Sequence, residues 1–305
     1  MNKTRTFLLT TSTSAAAALL TATGAANAAG AKPFKLTDAW KAKIEAMAPA
    51  TPTVAPSKQH RVLVFSKMTG FRHWVTPHTA AVVKILGEKS GAYSVVASDD
   101  IENFEPENIS RFDVIVLNNN CSNGKKRDLF WDATKDASRA ARLEQSLIDH
   151  VAAGAGLVVM HGAIVMQNNS PAFSRMVGGS FDRHPRQQEV VCRLVDPDHP
   201  LVQPFQGKPF VHIDEPYLFK NAYTNTNFRP LLEMDVSTLQ GYTDNGVRRY
   251  VAWIKRHGQG RVFYCSPSHN AQSFERPELL RFILNGIQYA AGDLDCDDTP
   301  PANER

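Results

Sequence analysis

The sequence has few cysteines, little excess charge and, after its first thirty residues, no long apolar run. Its formal net charge is +4, and two of the basic residues, Lys3 and Arg5, lie in an initial segment without acids, so the remainder carries about +2. A nucleic-acid-binding protein would concentrate Lys and Arg on one face, so this balance argues against that class. We also expect no membrane span, because one needs roughly eighteen uninterrupted apolar residues.

Cysteine usage excludes the common zinc knuckles. The four cysteines, Cys121, Cys192, Cys265 and Cys296, include no CxxC pair. Cys192 and Cys265 lie in strand-like runs, which is typical of buried thiols, while the other two lie in polar loop sequence. We expect one disulfide or none.

The first 28 residues have the three parts of a signal peptide. Met1 to Arg5 form a positive n-region, Phe7 to Leu20 an apolar stretch, and Ala26-Asn27-Ala28 a cleavage site of small residues. The segment contains no twin arginine, so we expect the general secretory (Sec) route. The sequence therefore predicts a periplasmic or secreted protein whose mature chain begins near Ala29.

Composition divides the rest of the chain into three parts. Residues 29–60 are rich in Ala, Pro and Lys, which predicts an N-terminal extension and linker with one short helix at Asp38–Met47. Residues 61–291 carry continuous apolar patterning and are predicted to form one domain. Residues 292–305 are acidic and predict a flexible tail.

Strands and helices alternate in the first half of the domain. Predicted buried strands are Arg61–Ser66, Tyr93–Ala97, Phe112–Leu117 and Leu157–Met160. Thr76 as N-cap with Pro77 at the first helical position starts one helix, and Leu143, Leu147 and Val151 share a face of another. This rhythm predicts an α/β fold with a mostly parallel sheet and right-handed crossovers.

The second half is richer in strands. Residues 171–177 favour a short helix, and the glycine- and proline-containing segment 178–185 favours a loop. Predicted strands are Gln188–Val195, Val211–Glu215, Arg229–Met234, Tyr250–Lys255 and Arg261–Cys265, and Pro277–Ala290 is the predicted closing helix.

A histidine follows the strand that ends at Met160. Because ligands bind beyond the carboxyl ends of strands in open α/β sheets, His161-Gly162 lies where chemistry is favoured. The alternative is a surface histidine at a strand end, and the tripeptide alone does not decide between them.

Seven short motifs follow one another along the domain. They are Phe71-Arg72-His73, GAGLVVMHGA, GGSFDRHP, the His199-Pro200 of DPDHP, Asp214-Glu215-Pro216-Tyr217, Val251-Ala252-Trp253 and GQGRVFYCSPSHN. In this combination the chain resembles the ThuA-like family, named for a trehalose-utilisation protein, which shares the fold of class I glutamine amidotransferases. The resemblance spans about residues 61–291. It implies a flavodoxin-like three-layer sandwich and a role in sugar utilisation.

The resemblance also changes the interpretation of His161. In the amidotransferases the equivalent turn carries a catalytic cysteine that attacks an amide carbonyl. Here the turn reads Met160-His161-Gly162, so the nucleophile is missing and we expect no glutaminase activity.

Polar residues on the loops supply the other candidates. The predicted catalytic residues are His161, His184, Glu215 and His269, and the predicted substrate-binding residues are Arg72, His73, Asp214 and Tyr217. If VHIDE is a strand, alternation separates His212 and Asp214 from Glu215, so only part of this segment can enter one pocket. The resemblance favours Glu215 and Tyr217.

These residue types allow two kinds of chemistry. Imidazoles and a carboxylate suit general acid and base catalysis near neutral pH. They equally suit a divalent metal, for which His73, His161 and His184 are the candidate ligands, although no HExxH motif is present.

Two functional hypotheses follow. One is an enzyme that acts on glycosides or 3-keto glycosides by acid/base elimination or hydrolysis, with or without a metal ion. An ordinary glycosidase needs two opposed carboxylates, and Asp214 and Glu215 are adjacent and alternate in direction. The other is a carbohydrate-binding or regulatory protein without catalysis. Both predict a small-molecule carbohydrate partner.

Overall fold

The computed structural model describes residues 1, 30–222 and 227–301. Apart from Met1, the predicted signal peptide at residues 1–28 lies outside these residues, so export remains a prediction. Within the described ranges, no helix has both the length and the apolar character needed to cross a membrane.

Eleven strands in the described part of the chain form the framework of the domain. They are β1 (His60–Phe65), β2 (Tyr93–Ser98), β3 (Val114–Asn118), β4 (Gly156–Met160), β5 (Ser180–Arg183), β6 (Gln188–Leu194), β7 (Phe210–Asp214), β8 (Leu218–Lys220), β9 (Arg229–Met234), β10 (Arg249–His257) and β11 (Gly260–Cys265).

Nine of these strands form one sheet in the order β2-β1-β3-β4-β11-β10-β9-β6-β7. The five strands from β2 to β11 are parallel and follow the flavodoxin-like order, whereas β10, β9, β6 and β7 extend the sheet in antiparallel fashion. β5 and β8 pair separately as a small antiparallel sheet. The α/β prediction with a strand-rich second half is confirmed.

Among the described residues, seven α-helices accompany the strands. They are α1 (Asp38–Met47), α2 (Thr76–Ser90), α3 (Pro106–Ile109), α4 (Leu129–Thr134), α5 (Ala137–Ala152), α6 (Pro171–Val177) and α7 (Pro277–Ala290).

Strand alternation sends successive side chains to two separate cores. Val62 and Val64 of β1 pack with apolar residues of α1, α2 and α7, whereas Leu63 and Phe65 pack with those of α4, α5 and α6. Because parallel strands are buried on both faces, their sequences are continuously apolar. The result is the expected three-layer sandwich.

Three details differ from the sequence predictions. Residues 180–183, predicted as loop, form β5, because their pairing partner β8 is distant in sequence. Thr76 is the first residue of α2 and its hydroxyl donates to the His73 carbonyl oxygen at 2.9 Å, so it is not the N-cap. Leu294 is buried and Asp293 lies 3.0 Å from His60, so packed chain continues past the predicted boundary at residue 291.

Candidate functional site

Loops at the carboxyl edge of the sheet bring four polar side chains together. His73 lies between β1 and α2, His161 follows β4, Glu215 follows β7 and His269 follows β11. One ligand atom from each side chain lies within 4.8 Å of the others. We call these four residues the buried cluster.

The contacts within the buried cluster are short. His161 Nε2 lies 3.1 Å from His269 Nδ1 and 3.4 Å from Glu215 Oε2, and His269 Nδ1 lies 3.2 Å from the same oxygen. The His73 ring meets the rings of His161 and His269 edge-on, at centroid distances of 5.2 and 5.1 Å. Three imidazoles and one carboxylate therefore share one small volume.

The turn after β4 holds His161 in an uncommon backbone conformation. Its φ of 44° is in the left-handed region, which is strained for a residue with a side chain. His161 Nδ1 donates to the Ser266 carbonyl oxygen at 2.9 Å, and the ring lies 4.1 Å from the Tyr217 ring centroid. These contacts fix the imidazole with Nε2 directed at Glu215.

Burial keeps the imidazoles of the cluster uncharged. It lowers the pKa of both His161 and His269 to about 3 and holds the pKa of His73 well below its usual range. The neighbouring histidines act in the same direction on His73 and His269, because like charges repel. Neutral imidazoles retain a lone pair, which suits both proton acceptance and metal binding.

Asp214, predicted to bind substrate, is buried beneath Glu215. Its carboxyl accepts the backbone N–H of Glu215 at 2.7 Å and that of His269 at 3.4 Å, and it lies 3.2 Å from His212 Nδ1. Burial raises the pKa of this carboxyl well above its usual value. In this arrangement Asp214 positions the segments that carry Glu215 and His269.

The small sheet of β5 and β8 positions the outer part of the site. His184 follows β5 and Tyr217 precedes β8, and their rings stack at 5.4 Å with an interplanar angle of 18°. His184 Nδ1 donates to the Pro185 carbonyl oxygen at 2.7 Å, which leaves Nε2 facing Glu215 Oε2 at 3.7 Å. His184 is thus adjacent to the buried cluster and is 31% exposed at its side chain.

His184 also lines an open cavity. The cavity has a volume of about 320 Å³, and Arg183, Pro185, Leu218, Gly241, Tyr242 and Thr243 complete its wall. This volume is at the lower end of the range for small-molecule sites. A ligand in the cavity would contact His184, which in turn faces Glu215.

Three other side chains of the sequence motifs differ in how far they are exposed to solvent. Phe71 is 64% exposed and its ring lies 4.8 Å from that of His73, so it presents an aromatic face at the rim. Arg72 is also exposed. Trp253, in the VAW motif, is fully buried and belongs to the core.

Cys121 is not among the candidates predicted from the sequence, yet it contacts the buried cluster. Its thiol lies 3.7 Å from His73 Nδ1 and donates to the Gly162 carbonyl oxygen at 3.4 Å. The sequence signal for it is its place shortly after β3, the strand beside β1. Burial raises the pKa of Cys121 to about 12, so it is no substitute for the amidotransferase nucleophile. All four cysteines are free.

Of the three metal ligands predicted from the sequence, the structure brings His73 and His161 into the buried cluster. His184 lies outside it, and His269 and Glu215 complete the set instead. The donor set of three imidazoles and a carboxylate matches the ligands of first-row divalent metals.

Comparisons with known proteins agree with this fold. The family model ThuA, described as trehalose utilisation, matches residues 61–290. A ThuA-like protein from Bacteroides uniformis superposes with a TM-score of 0.61 at 17% identity, over 79% of this chain and 94% of that one. A ThuA-like protein from Parabacteroides merdae gives 0.53 at 20% identity, over 77% and 90% of the two chains. No curated protein matches this chain.

Proposed function

This chain belongs to the ThuA family, a family with a sugar-related role, and on that premise we propose that it cleaves glycosides that carry a ketone at carbon 3. We further propose that it acts outside the cytoplasm, in accordance with the signal peptide predicted at residues 1–28. The proposal is supported by the arrangement of His184 between an open cavity and the buried cluster.

The ketone makes an elimination route chemically accessible. It acidifies the hydrogen on carbon 2, and a base that removes this proton leaves an enolate with negative charge on the carbon 3 oxygen. Collapse of the enolate expels the glycosidic oxygen from carbon 1, and an acid protonates that oxygen. Water then adds across the new double bond between carbons 1 and 2, so the net reaction is hydrolysis to a 3-keto sugar and an alcohol.

We assign proton transfer to His184. Its Nε2 faces Glu215 Oε2 at 3.7 Å, and its partial exposure permits exchange with a ligand in the cavity. A positioned imidazole contributes roughly 10²–10⁴-fold to such steps. The buried cluster is assigned to the stabilisation of the enolate oxygen, because charge stabilisation is most effective where water is excluded.

The proposal is supported most directly by an unbroken series of contacts from the cavity to the buried cluster. The cavity wall includes His184, His184 faces Glu215, and Glu215 lies 3.4 Å from His161 Nε2. A standard pair of opposed carboxylates is not formed by Asp214 and Glu215, since Asp214 is buried and accepts backbone hydrogen bonds. Acid and base chemistry through imidazole therefore fits the described residues better than two-carboxylate hydrolysis does.

The test uses a matched pair of nitrophenyl glycosides, one with a 3-ketone and one with the unmodified sugar. We expect nitrophenol release from the keto glycoside alone, with deuterium incorporation at carbon 2 in D₂O. His184→Gln should lower kcat about 10²–10⁴-fold. His257→Gln is the control, because His257 pairs with Gly260 at the opposite edge of the sheet and should leave kcat unchanged.

Lack of release from the keto glycoside by the folded wild-type protein would contradict the proposal. Full activity of His184→Gln would contradict the role assigned to that residue.

A second candidate is carbohydrate binding without catalysis, which the exposed ring of Phe71 favours. Aromatic faces stack on sugars, and Phe71 is 64% exposed beside His73. Under this hypothesis Phe71→Ala weakens sugar binding and no turnover is found with either glycoside. Under the enzymatic hypothesis the same variant raises KM and leaves kcat nearly constant.

A further inference from the structure

We propose that His73, His161, Glu215 and His269 bind one divalent first-row transition-metal ion. The binding site is inferred from the geometry of these residues. Its role in the reaction rests on the proposed function, whereas the binding itself does not. Three features of the buried cluster support a metal site: the separations of its ligand atoms, the tautomers of two histidines and its charge.

The ligand separations match those around a metal ion. Bonds of about 2.0–2.1 Å place neighbouring ligand atoms about 2.9 Å apart in octahedral and about 3.4 Å apart in tetrahedral coordination. The His161 Nε2, His269 Nδ1 and Glu215 Oε2 atoms are separated by 3.1, 3.2 and 3.4 Å. These three atoms therefore already have the spacing of one coordination face, and a nitrogen of His73 lies within 4.8 Å of them.

The hydrogen bond made by Nδ1 fixes the tautomer of His161. A carbonyl oxygen only accepts hydrogen bonds, so the 2.9 Å contact with Ser266 places the proton on Nδ1. Nε2 then presents a lone pair to a Glu215 oxygen that also only accepts when ionised. Two acceptors that face each other at 3.4 Å repel each other unless a cation or a shared hydrogen-bond donor lies between them. A histidine whose second nitrogen donates to a backbone carbonyl is a common metal ligand.

Cys121 fixes the tautomer of His73 in the same way. The thiol proton is donated to the Gly162 carbonyl oxygen at 3.4 Å, which leaves the sulfur to accept from His73 Nδ1 at 3.7 Å. His73 Nε2 then carries the lone pair. This nitrogen is buried and has no hydrogen-bond partner among the described residues, and His73 is only 3% exposed. Buried polar atoms are rarely left unpaired, so a lone pair in this position points to a ligand.

The charge of the buried cluster gives the ion a function. Three neutral imidazoles and one carboxylate sum to a single negative charge, so the cluster can stabilise an enolate oxygen, the role assigned to it above, only when it holds a cation. A divalent ion reverses the sign of the cluster and supplies the positive charge that the proposed elimination needs. Because the ligands are imidazole nitrogens and a carboxylate oxygen, without thiolate, the site suits Zn²⁺, Mn²⁺, Fe²⁺ or Co²⁺.

The experiment measures binding directly on the full chain. The protein is stripped with a chelator and titrated with Co²⁺, while visible absorption follows coordination and elemental analysis gives the stoichiometry. We expect one ion per chain. Glu215→Gln and His161→Phe, which preserve side-chain size, should each weaken Co²⁺ binding at least 100-fold. His257→Gln should bind like the wild type.

A wild-type protein that stays folded by circular dichroism and takes up no stoichiometric Co²⁺ overturns the proposal, whatever the variants do. So does undiminished binding by folded Glu215→Gln. Turnover of the keto glycoside separates the two proposals. Activity that survives complete metal removal rejects the role of the ion in the reaction and retains the reaction, whereas stoichiometric Co²⁺ without turnover retains the ion and rejects the reaction.

Discussion

Replacement of Gly162 by alanine tests how closely the β4 turn is fitted to His73. A Cβ at this position would lie 2.5 Å from His73 Cε1 and 3.1 Å from both His73 Nδ1 and Cys121 Sγ. Ordinary carbon contacts are about 3.5–4.0 Å, so the first separation is short by at least about 1 Å. The His73 ring cannot rotate freely, because it is 3% exposed and meets the rings of His161 and His269.

Gly162→Ala should have two effects. Overpacking of a buried position costs about 1–3 kcal/mol of unfolding free energy. Displacement of His73 by about 1 Å also removes one ligand from the proposed metal site, which should weaken Co²⁺ binding about 10–100-fold, equal to about 1.4–2.8 kcal/mol. The variant should therefore lose both stability and metal affinity.

A double-mutant cycle with His73→Ala isolates the contact. Removal of the ring leaves space for the new Cβ, so Gly162→Ala should have little further effect on stability in that background. The measurements are urea unfolding and Co²⁺ titration of the two single variants and the double variant. Gly124→Ala is the control, because a Cβ there would project into open space with no neighbouring side chain or backbone within 4 Å. Its unfolding free energy should change by no more than about 0.5 kcal/mol.

Additive losses in the cycle would refute the reasoning, since they would show that Gly162 and His73 do not contact each other. Unchanged stability of the single Gly162→Ala variant would refute it as well.

Two further predictions concern the core. Lys255 is 4% exposed, its ammonium donates to the Arg175 carbonyl oxygen, and burial lowers its pKa to about 8. Between about pH 8 and 10.5 the unfolded chain therefore binds more protons than the folded chain. In that window this lysine makes the free energy of unfolding rise with pH, by at most about 3 kcal/mol. Lys255→Met should remove this rise from urea-unfolding curves, and identical pH profiles would count against the burial argument. Gly286 in α7 packs on Phe263, and an added Cβ would lie 2.1 Å from two ring carbons. Gly286→Ala should lower the unfolding free energy by about 1–2 kcal/mol, because overpacking exceeds the gain in helix propensity of about 1 kcal/mol. A higher melting temperature would contradict this.

The sequence predicts the parallel half of the fold well because local patterning determines it. Continuous apolar runs specify strands buried on both faces, and α1, α6 and α7 end where their periodicity ends. β5 could not be found in this way, because residues 180–183 pair with residues 218–220, far along the chain. The order β10-β9-β6-β7 depends on similar distant pairings.

The four residues of the buried cluster were all candidates from the sequence, but their arrangement was not predictable from it. His161 and His269 follow buried strands, and that position makes them candidates. The separation of His184 from the buried cluster depends on β5 and β8, which hold it at the rim. The support that Asp214 gives to Glu215 and His269 depends on loop conformations that no spacing rule encodes.

The pairing of β5 with β8 has an evolutionary consequence. These two strands form a module outside the nine-stranded sheet, and they hold His184 and part of the wall of the cavity, whereas the imidazoles of the buried cluster follow strands of the main sheet. Insertions or substitutions in the module can reshape what enters the cavity while the inner residues keep their places. Relatives with this architecture can therefore diverge in ligand preference and still retain the same interior chemistry.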